Sequence, residues 1–62
     1  MKAFSRGMKI ALELCTQRLK QGKALPERIT TDPAGFNLFQ LGFVFGIDLA
    51  HHLMATAEGR EV

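Results

Sequence analysis

Gly42, Gly46 and Ala50 recur at four-residue intervals inside a proline-free stretch that follows Pro33. At 100° per residue they fall on one strip with nothing larger than a methyl group along it. Phe36, Phe39 and Phe43 flank the strip on one side, and Leu38, Phe45 and Leu49 on the other. Each glycine inside a helix costs about 1 kcal/mol relative to alanine. Two at this spacing point to a second helix whose backbone comes close between walls of phenylalanine. The expected occupant is the same helix of a second copy, which makes Phe36, Phe39, Gly42, Phe43, Gly46 and Ala50 the expected oligomer interface.

The start of that helix is signalled by Asp32 as N-cap and Pro33 at the first helical position, where a missing N–H has no consequence. It is expected over residues 33–57, with Gly59 opening a frayed tail. Asn37, Gln40, Asp48, His51 and His52 share one polar arc. The remaining apolar arc spans about 200°, wider than one partner helix covers. An earlier helix is expected over residues 3–21, free of proline, with Arg18 and Lys20 in its last turn and Gly22 placed to close it. Phe4, Met8, Ala11, Leu12, Cys15 and Leu19 share its main apolar face. Residues 22–31 read as a connector, broken by Pro26 and pinned by Leu25 and Ile29. No internal repeat is evident, and the whole chain, residues 1–62, reads as one helical-hairpin domain.

At 62 residues a chain buries only about 60% of its unfolded surface. A lone cysteine, Cys15, offers no intramolecular disulfide to make up the difference. Association is the remaining device. The expected fold is therefore all-α: a two-helix hairpin that associates as a homodimeric four-helix bundle.

Little in the chain carries chemistry. Asp48, His51 and His52 have helical spacing that brings a carboxylate near two imidazoles, which makes them weak metal candidates. The ordinary reading of such histidines is a solvated polar edge. Cys15 sits mid-face and reads as a small buried filler. No phosphate loop, nucleophile elbow or dinucleotide fingerprint occurs. The expectation is a protein that is not an enzyme, with no catalytic residues, no bound metal and no cofactor.

Charge is divided unevenly. Residues 1–28 carry seven basic and two acidic side chains, a net +5, whereas residues 29–62 are net −3. Arg6, Lys9 and Lys20 on the first helix, with Lys23 and Arg28 in the connector, are the expected partner-binding residues. The function expected from these features is a small cytoplasmic binding or regulatory protein, an inhibitor or adaptor, that docks onto another protein. The alternative is a nucleic-acid-binding protein that uses the basic first helix against phosphates. A membrane-associated helix pair is the outsider, because residues 36–55 are long enough to span but interrupted by Asp48 and two histidines.

Overall fold

A run rich in Ala, Leu, Lys and Met builds the first helix, α1 (Lys2–Lys20). It ends as expected. Gly22 adopts φ 72°, and the N–H groups of Gly22 and Lys23 donate to the carbonyls of Leu19 and Arg18 at 3.1 and 2.9 Å. That paired closure satisfies carbonyls the helix leaves open, and the positive φ is why glycine stands there.

The second helix begins later than expected. Asp32 does cap a turn, its Oδ1 accepting from the Ala34 N–H at 3.1 Å, but the turn is a short 3-10 segment (Pro33–Gly35). Phe36 then runs extended at φ −84°, ψ 140°. Asn37 restarts the chain: its Oδ1 accepts from the Gln40 N–H, and Gln40 Oε1 accepts from the Asn37 N–H, both at 2.8 Å. This reciprocal capping box sets the start of α2 (Leu38–Ala57), five residues beyond Pro33. The computed structural model describes residues 2–57, so the expected tail from Gly59 lies outside the described residues.

The two helices pack against each other as an all-α hairpin, and its arms point the same way. A Cβ added to Gly42 would fall onto the Phe4 carbonyl, and one on Gly7 would fall onto the Phe39 carbonyl and 2.9 Å from Phe43 N. A Cβ on Gly46 would lie 2.6 Å from the Ala11 Cβ and 2.9 Å from the Met8 oxygen. The contact therefore climbs both helices together, and Ala11, Cys15, Ile47 and Ala50 continue it as the buried core.

Parallel arms need a long return. Residues 21–37 form a strap that leaves the end of α1 and runs back along α2. Leu25 packs on the core, the Pro26 carbonyl meets His51, and Arg28 pairs with Asp48. Ile29 and Phe36 then line a hollow with Gln40, Phe43 and Val44. The expected ten-residue connector is thus longer and structured.

The expectation of no repeat is corrected by this geometry. Residues 4–15 and 39–50 occupy equivalent places at a shift of 35. Phe4, Gly7, Ala11, Leu14 and Cys15 correspond to Phe39, Gly42, Gly46, Leu49 and Ala50. Each Phe-x-x-Gly slides its glycine under the carbonyl of the other helix's phenylalanine. Leu14 and Leu49 are also identical, whereas Ala11/Gly46 and Cys15/Ala50 match only in being small, which hides the repeat until the contacts are placed.

Candidate functional site

The strip of Gly42, Gly46 and Ala50 is buried, but by α1 of the same chain. α1 supplies its own small residues, Gly7, Ala11 and Cys15, at the same spacing. Close approach needs such residues on both sides, and the chain carries both. Phe36, Phe39 and Phe43 line the hollow beneath the strap, which measures about 310 Å³. Of the six residues expected between copies, Gly42, Gly46 and Ala50 are thus buried within one chain, whereas Phe36 and Phe43 are half-buried and Phe39 is exposed.

The exposed apolar surface lies elsewhere. Because both helices point the same way, the clockwise flank of one adjoins the anticlockwise flank of the other, which gives two side-by-side junctions. One joins Phe43 and Ile47 of α2 to Ile10 and Leu14 of α1, and the strap covers its α2 half. There Ile47, the largest fully buried side chain, has 0% exposure. On the other, helical periodicity sets Met8, Leu12 and Leu19 of α1 on the flank that faces the Leu38, Phe45 and Leu49 flank of α2. Among the described residues no strap reaches it. Phe45 is 52% exposed, although its ring meets that of Phe4 edge-on at 5.3 Å. Leu38 and Leu19 are similarly bare, as is Leu53 toward the end of α2.

Beside this bare junction, along the outer side of α1, runs an open hollow of about 850 Å³. Ser5, Met8, Lys9, Leu12, Glu13, Thr16, Gln17 and Lys20 line it. The expected partner-binding residues Arg6, Lys9, Lys20 and Lys23 are exposed. Arg28 is not free: its Nε donates to Asp48 Oδ1 at 3.1 Å. That is the sole ion pair among the described residues. With 63% and 36% side-chain exposure it contributes about 0–1 kcal/mol.

The weak metal candidates have structural employment instead. Asp48 holds Arg28, and His51 Nε2 hydrogen-bonds the Pro26 carbonyl at 2.6 Å, both fastening the strap to α2. His52 is exposed. No group of three metal-ligating side chains occurs among the described residues. Cys15 is buried, and burial pushes its thiol up, opposed by the Arg18 charge. A thiol so placed resists forming the nucleophilic thiolate.

α2 is long and apolar enough to cross a membrane by length and composition, with mean hydropathy 1.3. Much of that apolar surface belongs to the bare junction. No family model matches the chain, and no curated protein or solved structure matches it either.

Proposed function

We propose that this is a non-enzymatic binding protein that acts by docking onto other protein chains, and that two copies associate into a homodimeric four-helix bundle. The observation that supports this is the difference between the two junctions. The strap buries Ile47 completely, while the equivalent position on the other side, Leu12, is half-buried on a flank that also carries the exposed side chains Phe45, Leu38 and Leu19. A contiguous apolar face of this kind on so small a chain is characteristic of an interface. A second copy brings the same face, so a two-fold arrangement covers both at once.

Static light scattering of the purified protein tests this reading. The expected mass is about twice 6.9 kDa, and Phe45→Glu, which places a charge in the centre of the face, is expected to return it to one chain. A wild-type mass of a single folded chain would remove the bundle. Regulation through a protein target, as an inhibitor or adaptor in the cytoplasm, extends the same proposal to the remaining exposed surface.

A further inference from the structure

The internal repeat makes one comparison that a single helix pair does not permit. Shifting the lining of the α1 hollow by 35 residues takes Ser5, Met8, Lys9, Leu12, Glu13 and Thr16 onto Gln40, Phe43, Val44, Ile47, Asp48 and His51. Those are the α2 residues on which the strap lies. Ile29 sits by Gln40, Phe43 and Val44, Leu25 packs on the cluster containing Ile47, Arg28 pairs with Asp48, and Pro26 meets His51. The same groove therefore exists twice. On α2 it is crossed by a segment of the chain itself, which leaves the small hollow under Ile29 and Phe36, and on α1 it is open.

We propose that the α1 hollow is a second strap site, and that it takes an extended segment of another protein with the pattern apolar-x-x-Arg-apolar, as in Leu25, Arg28 and Ile29. The inference rests on the reading that this protein docks onto protein chains. The hollow borders the Phe45 face and shares Met8 and Leu12 with it, so a segment in the hollow and a second copy on that face compete for those two side chains. Leu12 and Met8 form an apolar floor where Ile47 and Phe43 do on α2. Glu13 stands where Asp48 receives an arginine, and no cation lies within ion-pair distance of it among the described residues. One feature differs: the Thr16 hydroxyl donates to the Leu12 carbonyl at 2.9 Å, so it does not repeat the contact of His51 with the strap backbone. Another difference adds selectivity. Lys9 and Lys20 replace Val44 and Ala55, so acidic residues beside the arginine are favoured, and the strap itself has Glu27 there. The helix pairing does not require those lysines, because the equivalent positions of α2 manage without them.

The segment is extended because the groove runs along a helix. The strap that lies on α2 is itself the template: residues 23–30 form no helix and run antiparallel to α2, from Pro26 at His51 through Arg28 at Asp48 to Ile29 near Gln40. A polyanion is a poorer occupant, since Glu13 stands mid-groove and the floor is apolar.

A fluorescently labelled peptide of residues 23–31, titrated with the intact protein and followed by anisotropy, tests the proposal. Saturable binding is expected, weakened about three- to tenfold by Glu13→Lys in the protein or by an Arg28→Glu change in the peptide. Combining the two changes should restore affinity, since the ion pair is then re-formed with its charges exchanged. Backbone amide shifts in an NMR titration should move along α1 from Ser5 to Lys20. Absence of saturable binding up to about 1 mM would overturn the proposal. So would binding that ignores both charge changes, or shifts confined to Ile47, Asp48 and His51, which would mean that the peptide displaces the chain's own strap. The peptide change leaves the protein untouched, so a folding defect in the Glu13→Lys protein does not blur the outcome. Light scattering on the same samples reports the bundle separately: a monomer that binds peptide fails only the dimer, and monomeric Phe45→Glu protein that does not bind peptide fails the groove.

Discussion

Gly7, Gly42 and Gly46 do different work from Gly22 and Gly35. The first three sit where a single added carbon meets backbone or Ala11, and the last two have nothing within 4 Å of such a carbon. Rigid neighbours make the first group intolerant. Gly7→Ala and Gly46→Leu are expected to force the helices apart, costing about 1–3 kcal/mol or more. That lowers the melting temperature by roughly 5–20 °C in a domain of this size. Gly22→Ala is expected to cost about 1–2 kcal/mol through its positive φ alone, and Gly35→Ala to change little. Thermal melts followed by circular dichroism rank the four. Cys15 gives a second test at this scale. Burial raises the thiol, so folding favours its protonated form. The unfolded chain loses that proton first as pH rises, and stability should fall from the ordinary thiol range upward. Cys15→Ala should lack that part of the alkaline decline, and wild-type Cys15 should react with a thiol reagent at neutral pH only on unfolding.

Each element is set by local chemistry that differs in legibility. The end of α1 could be read from Gly22, because a left-handed residue after the last turn is a strong signal. The start of α2 lies beyond the expected Pro33 because Asp32 and Pro33 open only a 3-10 turn. Asn37 and Gln40 make a better opening, with two orphan donors satisfied reciprocally. Asn37→Ala is expected to cost about 1 kcal/mol, and Asp32→Ala less, because it caps only a 3-10 turn. The strap is held by apolar contact more than by charge. Asp48→Asn should cost under about 1 kcal/mol, whereas Ile47→Ala, which empties the position beneath the strap, should cost about 2–5 kcal/mol. Urea denaturation of the two variants separates these contributions.

For the whole molecule, the parallel direction of the arms is what places the surfaces. An antiparallel hairpin of these helices would close through a short loop and leave no segment to lie along α2. Each helix is about 28–30 Å long, so the strap has to cross most of that distance. Shortening residues 21–37 to about five is therefore expected to abolish the packed state, as judged by loss of cooperative unfolding, whereas an antiparallel pair would tolerate it. Spin labels at Lys2 and Leu38 should lie close together at one end of the pair. The length of the strap and the bareness of the Phe45 face share one cause. The strap covers one of two equivalent junctions, and no segment among the described residues covers the other.

The sequence by itself determined that the protein is all-α, with two helices broken around Pro26 and Pro33, a glycine-terminated first helix, and a small-residue strip against which a helix must lie. These follow from propensity, capping and periodicity, which act over a few residues at a time. Only the tertiary structure decided which helix fills the strip. Gly7, Ala11 and Cys15 form a matching strip, yet they read as ordinary members of an amphipathic face until the two are brought together. The strip thus went to α1 rather than to a second copy, and Asp48 and His51 went to the strap rather than to an ion. Direction, pairing and the repeat are properties of contacts between distant residues, and local propensity does not encode which of two compatible surfaces meets first.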